Sequence, residues 1–231
     1  MSQKNRFGRL FSGLSSDLIE IREYTRRHAE LREAHHFLFA LPTDGFDPNL
    51  PIELVLMGTN PGESPACWKF LRTPMQEESF EIDFHRGSSG ATSGRKNWMS
   101  KVSRFLPPGN ILQTELFFWS SQNLELFEER FGKISRTPHL TFCTKKNKKL
   151  LMAADPKAVV FSGLGQAQLA SKLYNLQHIR TESCAVSGKK LAEQFTDGFR
   201  NWFFVPHLSG ARGYTNLQRD ICKEIILQGI S

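Results

Sequence analysis

Residues 53–64 read ELVLMGTNPGES, and this stretch decides the fold. Four consecutive apolar residues, 54–57, end abruptly in the sequence GTNPG at residues 58–62. A short apolar run that stops at a tight turn predicts a buried strand followed by a loop. In an open sheet of parallel strands, such a loop faces the crevice in which ligands bind. Asn-Pro-Gly is also an ordinary turn sequence, so the stretch alone leaves a binding loop and a plain turn open.

Outward from this stretch, the chain alternates between predicted strands and predicted helices. Apolar runs bounded by turn residues predict further strands at residues 110–119, 157–162 and 202–205. Helical spacing predicts helices at residues 97–105, 124–131, 166–176 and 215–228, the last capped near Thr215 or Asn216. This alternation predicts a three-layer α/β/α fold around a parallel sheet of about four strands.

The N-terminal residues predict an arm and a helix that pack on the main domain. Residues 1–15 mix basic residues with serine and glycine and are expected to be a loosely ordered arm. Helical spacing from Ser16 onward predicts one helix that Pro42 ends. We therefore expect residues 1–45 to lie against a single α/β domain of residues 46–231.

Histidine and cysteine spacing gives no sign of a metal or disulfide framework. His35 and His36 lie seven and eight residues after His28, too far for ligands on adjacent helical turns. The 4 cysteines are scattered and form no CxxC pair. We expect no metal and no other cofactor.

Composition favours a polyanionic partner and argues against a membrane. The chain has 231 residues, a net charge of +7 and a pI near 9.4, and basic residues bind phosphate backbones without regard to sequence. No apolar run reaches the roughly 18–20 residues of a membrane helix, and the N-terminus lacks a signal core. We expect a cytoplasmic monomer, associated with the nucleoid if the protein is bacterial.

Two clusters of basic residues could contact phosphate or could simply be solvated. Arg95 and Lys96 follow the Gly/Ser-rich residues 87–94. Small residues that expose backbone N–H groups beside cations suit a phosphate. Residues 145–149 read KKNKK, the densest positive stretch in the chain. A solvated face explains either cluster equally well.

A second junction between a strand and a turn repeats the first design. Residues 202–214 read WFFVPHLSGARGY, an apolar run that ends in Pro206 and His207. The two junctions together resemble the signature motifs of the uracil-DNA glycosylase superfamily. GTNPG matches the first motif, Gly-x-Asn-Pro-Gly, at every fixed position, whereas HLS at residues 207–209 has leucine in place of the proline of His-Pro-Ser. The resemblance spans residues 50–225 as an order of strands and motifs.

This resemblance implies an enzyme that flips a base out of DNA and hydrolyses its N-glycosidic bond. It places Asn60 where the attacking water is held and His207 where charge on the departing base is stabilised. It places Gly58, Thr59 and an aromatic ring, for which Trp68 is the candidate, against the base. The DNA contacts that we expect come from Gly62, Ser209, Arg212, Arg95 and Lys96.

The main departure from the family pattern is Glu115, which lies at or next to the position of a base-reading asparagine. An ionised carboxylate accepts hydrogen bonds only, so it would accept the N3–H of uracil but repel O4. Glu115 could instead accept from an exocyclic amino group, become protonated by burial and donate, or form a structural ion pair.

Two other functions remain open on the sequence. Leucine in the second motif and glutamate in the second strand also fit a noncatalytic module that binds nucleic acid or nucleotides. An enzyme that acts on free nucleosides or nucleotides is the third reading, in which the basic clusters would be incidental. A steep dependence of binding on salt would distinguish a DNA ligand from a nucleoside.

Overall fold

A computed structural model describes most of the chain. The described residues are 3–34, 37–43, 46–47, 49–62, 102, 105–208 and 213–230. The Gly/Ser-rich residues 87–94 and most of the helix predicted at residues 97–105 lie outside this part.

A mixed sheet of seven strands forms the centre of the described structure, in the order β1-β3-β2-β4-β7-β6-β5. The strands are β1 (Leu41–Pro42), β2 (Leu54–Gly58), β3 (Ile111–Glu115), β4 (Ala158–Ser162), β5 (Gln177–Ser183), β6 (Lys190–Thr196) and β7 (Asn201–Val205). Strands β3, β2, β4 and β7 run parallel to one another. The four strands predicted from the sequence are this parallel centre, but the whole sheet is larger than the predicted sheet of about four strands.

The additional strands are antiparallel and extend the sheet at both edges. Strand β1 pairs with β3, and the hairpin of β5 and β6 pairs with β7 through β6. Strand β3 is shorter than predicted, because regular pairing with β2 ends at Glu115. The following residues remain buried but leave the strand, and Trp119 instead forms an isolated antiparallel bridge with Phe37.

Helices cover both faces of this sheet. They are α1 (Gln3–Arg27), α2 (Ala29–Arg32), α3 (Leu124–Phe131), α4 (His139–Ala154), α5 (Ala167–Tyr174) and α6 (Asn216–Ile230). One apolar cluster packs the helices α1 through α5 against one face of the sheet, and a second cluster packs α6 against the other face. The chain is therefore α/β with three layers. Within the described part, no helix is both long and apolar enough to cross a membrane.

Local sequence explains where several helices begin and end. The side chain of Asn123 accepts a hydrogen bond from Leu126 N at 2.9 Å and caps α3. Before α6, Thr215 Oγ1 accepts from Gln218 N at 3.2 Å, while Gln218 Oε1 accepts from Thr215 N at 2.9 Å. These reciprocal bonds form a capping box. Helix α4 ends at Ala154 and is capped by Asp155, which adopts a left-handed conformation before a proline.

The N-terminal region differs from the prediction. Helix α1 begins at Gln3, so most of the expected arm is helical. It ends at Arg27, and the extended backbone of His28 separates it from α2. The chain then enters β1, whose Pro42 pairs with Leu112 instead of ending a helix. Propensity favoured one long helix here, but pairing with the edge of the sheet overrides it.

The lysine-rich stretch of α4 holds α1 in place. Lys146 is buried, and its Nζ donates to Asp17 Oδ1 at 2.8 Å and to Glu20. Lys149 Nζ donates to the same Asp17 oxygen at 2.8 Å. Lys148 lies over the ring of Tyr174 at 5.8 Å. Three of the lysines in KKNKK therefore contact other parts of the fold. Neither of the two interpretations of this stretch, a phosphate contact or a solvated face, includes these contacts.

Candidate functional site

The four parallel strands of the centre end at one edge of the sheet, with Gly58 of β2, Glu115 of β3, Ser162 of β4 and Val205 of β7 as their last residues. Strand order places Gly58 between Glu115 and Ser162, and Val205 beyond Ser162. Neighbouring strands lie about 4.8 Å apart, so roughly 14 Å separates the main chains of Glu115 and Val205. The two predicted motifs thus share one edge of the sheet.

The first motif forms a loop that is fastened to the chain after β3. Leu116 N donates to Gly58 O at 2.8 Å, and Phe117 N donates to Thr59 O at 2.9 Å. Ser121 N donates to Pro61 O at 3.1 Å, and Gly62 forms an isolated parallel bridge with Ser121. These bonds continue the pairing of β2 and β3 beyond their ends and give the loop a fixed position.

Asn60 is half-buried in this loop, and its amide nitrogen is fully used. Nδ2 donates to Ser121 Oγ at 3.0 Å and to Pro61 O at 3.1 Å. Ser121 Oγ in turn donates to Asn123 O at 3.1 Å. Since an amide nitrogen has two hydrogens, both are engaged and the orientation of the amide is fixed. Oδ1 is then the atom of this side chain that is able to accept from a water or ligand.

Gly58 and Glu115 fit together so closely that one requires the other. They are opposite residues in the parallel pairing of β2 with β3. A Cβ atom added to Gly58 would lie 2.1 Å from Glu115 Oε2. The carboxyl group therefore occupies the space above the Gly58 main chain. This contact gives a physical reason for glycine at the first position of the motif, beyond the turn itself.

The carboxyl group of Glu115 is buried at the edge that carries both motifs. The residue is 5% exposed, and Oε1 accepts from Gln113 Nε2 at 3.3 Å. Oε2 has no hydrogen-bond partner among the described residues. Burial raises the pKa of Glu115 to about 8, and the bond from Gln113 opposes this shift only in part. The group is therefore mainly neutral at pH 7, and it then has one O–H donor as well as acceptor oxygens.

Asn147 of α4 fixes the end of β3 that carries Glu115. Its Nδ2 donates to Glu115 O at 2.8 Å, and its Oδ1 accepts from Thr114 Oγ1 at 2.8 Å. Asn147 is fully buried. The sequence gives no sign of this role, because Asn147 lies within the KKNKK stretch, which is typical of a solvated helix face. The same holds for Gln113, since alternation along a strand does not show which polar residue meets Glu115.

The second motif is fastened to the end of β4. Gly163 N donates to Val205 O at 2.9 Å, and Leu208 N donates to Ser162 Oγ at 3.1 Å. Leu208, which stands where the family motif has proline, is 3% exposed and packs in the core beneath α6. A buried leucine and a bond to Ser162 thus hold the turn that a proline would otherwise stiffen.

His207 lies between these two anchors and is exposed at the surface of the protein. Partial desolvation lowers the pKa of His207 below its usual value of 6.5. At neutral pH the imidazole is therefore mainly uncharged, with one N–H donor and one acceptor nitrogen.

Five of the predicted site residues lie outside the described residues: Trp68, Arg95, Lys96, Ser209 and Arg212. The structure describes the other six, Gly58, Thr59, Asn60, Gly62, Glu115 and His207, and all of them lie at or just beyond the carboxyl ends of β2, β3 and β7. Thr59 Oγ1 lies 3.9 Å from where a Cβ atom of Gly163 would be, so the loops after β2 and β4 also meet.

These residues bring three uncharged polar groups to one edge: an amide, a carboxylic acid and an imidazole. Together they offer donors and acceptors but no fixed negative charge at neutral pH. Such a set suits a ligand that has both carbonyl and N–H groups and that gains negative charge during a reaction. No protein-family model and no curated protein matches this chain.

Proposed function

We propose that the protein is a DNA glycosylase that flips a base into this crevice and hydrolyses its N-glycosidic bond. The observation that carries the proposal is the buried Oε2 of Glu115 beside Gly58, at the edge of the sheet that carries both GTNPG and the turn of His207. A buried polar atom without a partner costs free energy, so its retention favours a ligand that satisfies it. The resemblance of both motifs to the uracil-DNA glycosylase superfamily supplies the reaction.

The neutral state of Glu115 favours a particular kind of base. A protonated carboxyl group donates through O–H and accepts through its carbonyl oxygen, as an asparagine amide does. It therefore complements adjacent N–H and C=O groups, which uracil, thymine and hypoxanthine have. This choice among the alternatives for Glu115 follows from the direction in which burial moves its pKa.

Asn60 and His207 perform the remaining tasks in this proposal. Asn60 Oδ1 accepts from the water that attacks the sugar carbon C1′, while its bonded Nδ2 keeps the oxygen in place. The C1′–N bond breaks, and its electron pair stays on the departing base. His207 donates its N–H to the base oxygen on which that charge accumulates. Water supplies a hydroxyl to C1′ and a proton to the base, so the atoms balance.

The net charge of +7 supports a DNA substrate, since cations on the surface attract the phosphate backbone. Two lysines of α4, Lys146 and Lys149, contribute little to this, because both are paired with Asp17. Contacts to DNA would therefore come from Gly62 and from the predicted residues Arg95, Lys96, Ser209 and Arg212.

A cleavage assay tests the proposal directly. Labelled single-stranded and duplex oligonucleotides with uracil, hypoxanthine, xanthine or a mismatched thymine are incubated with the protein and treated with alkali to reveal abasic sites. We expect strand breaks that Asn60→Ala and His207→Ala reduce by about 100-fold or more. His178→Ala, at an exposed histidine of β5, is the matched control.

The role of Glu115 has its own readout in the same assay. Wild-type cleavage should decline above about pH 8, where the carboxyl group ionises, whereas Glu115→Gln should stay active because its amide keeps a donor and an acceptor. No cleavage on any of these bases, or cleavage that both Asn60→Ala and His207→Ala leave unchanged, would overturn the proposal.

The alternative is a noncatalytic module that binds nucleic acid or nucleotides in the same crevice. The observation that favours it is the use of the Asn60 amide nitrogen within its own loop, which is what a purely structural turn would also show. Binding that weakens steeply with salt, without strand breaks on any substrate, would identify this function.

A further inference from the structure

Three side chains with metal-ligating atoms converge where the N-terminal helices meet α4. His28 lies in the break between α1 and α2, Glu30 in the first turn of α2, and His139 begins α4. The possible ligand atoms, one from each residue, all lie within 4.8 Å of one another. Glu30 and His139 are 109 positions apart in the chain. For this reason, local histidine spacing pointed away from a metal here.

The distances are close to those of a tetrahedral zinc site. Zinc bonds to nitrogen and oxygen are about 2.0–2.2 Å long, so two ligand atoms of a tetrahedron lie roughly 3.4 Å apart. His28 Nδ1 lies 3.7 Å from Glu30 Oε1, too far for a hydrogen bond but near this value. His139 Nε2 lies 2.8 Å from the same oxygen, a hydrogen bond that a metal would replace. Each of these two distances differs from the tetrahedral value by about half an ångström or less, and the third lies within 4.8 Å.

The difference in exposure among the three side chains also suits binding. The side chain of His139 is 2% exposed and held in the core, whereas those of His28 and Glu30 are 35% and 41% exposed. The two exposed ligands can move toward the fixed one and leave an open side for water. Two imidazoles and a carboxylate with a fourth position for water are a known zinc ligand set.

Tyr24 supports this arrangement through its contact with His139. Its hydroxyl lies 3.1 Å from His139 Nδ1, the ring nitrogen that faces away from Glu30. An Nδ1–H that donates to this oxygen leaves Nε2 unprotonated and able to bind a metal. The ring of Tyr24 is itself stacked on Phe142 at 3.9 Å between centroids, so the hydroxyl is held in position.

We propose that His28, Glu30 and His139 form a zinc site that joins the α1–α2 break to the start of α4. A hydrogen bond between His139 and Glu30 alone would need neither the approach of His28 nor the orientation of His139 by Tyr24. The ion binds to the folded protein, because the unfolded chain does not bring these distant ligands together. Zinc therefore stabilises the packing of the N-terminal helices on the domain.

The test uses full-length protein without a histidine tag, stripped of metal by dialysis against a chelator. Titration calorimetry with zinc sulfate should show one bound equivalent, and the melting temperature should rise with added zinc. Magnesium chloride should do neither, since magnesium prefers oxygen ligands. His28→Ala and Glu30→Gln should each weaken binding by at least about 10-fold.

Two further variants separate a metal site from a purely structural cluster. Tyr24→Phe should weaken zinc binding by about 10- to 100-fold because it removes the partner of His139 Nδ1. His178→Ala removes an exposed histidine of β5 and should bind zinc as wild type does. His28→Ala and Glu30→Gln change half-exposed groups, so they test the site even if a change at buried His139 prevents folding. Absence of binding to wild type, or undiminished binding in His28→Ala, would overturn the proposal.

Discussion

The buried carboxyl group of Glu115 makes the stability of the fold depend on pH. Burial raises its pKa from the ordinary 4.5 to about 8, so the unfolded chain ionises first as the pH rises. The stability contributed by the neutral acid is complete below pH 4.5 and is lost as the pH rises through about 8. At about 1.4 kcal/mol for each unit of pKa, the whole loss is about 5 kcal/mol, of which about 4 kcal/mol falls between pH 5 and pH 9.

Glu115→Gln tests this directly, because it keeps a planar uncharged group but removes the titration. Urea unfolding at pH 5, 7 and 9 gives the free energy of unfolding of both proteins. The variant should gain about 4 kcal/mol relative to wild type from pH 5 to pH 9, while groups common to both proteins cancel. Glu125→Gln, at an exposed carboxylate of α3, is the control. A difference between Glu115→Gln and wild type that stays constant within about 0.5 kcal/mol across this pH range would show that the pKa of Glu115 is not raised by folding.

Three further predictions concern other contacts. Gly58→Ala should destabilise the protein by about 1–3 kcal/mol in urea unfolding; a similar loss in a Glu115→Ala background would show that the carboxyl group is not the cause. Hydrogen bonds from its neighbours lower the pKa of Cys184 to about 6. Iodoacetamide at pH 7 should therefore alkylate Cys184 faster than the buried cysteines of α4 and α6, as followed by mass spectrometry, and equal rates would contradict this. Lys146→Met should lower the free energy of unfolding by about 3 kcal/mol, because it leaves the buried Asp17 carboxylate with one cation. Lys149→Met, at a more exposed lysine, should lower it less.

The parallel centre of the fold could be predicted because its strands are buried on both faces. Residues 54–57 and 202–205 are short apolar runs that end at glycine, proline or polar turns, which is how such strands read in a sequence. The hairpin of β5 and β6 lacks this signal. Residues 177–183 are mostly exposed and polar, and their pairing depends on contact with β6 at the edge of the sheet. Sequence patterns do not report such pairing.

The predicted residues of the site come together for a similar reason. Gly58 and His207 stand at or just after the ends of apolar runs, and parallel strands bring such ends to one edge. Glu115 lies inside the strand predicted at residues 110–119, and it reaches this edge because regular pairing with β2 ends there. The supporting contacts could not be read in the same way. Asn147 reaches Glu115 from a helix, and Lys146 pairs with Asp17 at a separation of 129 residues. These pairs depend on how helices pack on the sheet, and one sequence does not record that packing.

In the proposed function, the fit of Glu115 against Gly58 would link stability to base recognition. Because residue 58 has no Cβ atom, the carboxyl group can lie over the β2 main chain, where water does not solvate it. This loss of solvation raises its pKa and makes it a donor as well as an acceptor at neutral pH. A change that let water reach Glu115 would restore the ionised form and stabilise the protein at high pH. The same change would remove the O–H donor, so stability gained there should be accompanied by weaker recognition of a carbonyl-bearing base.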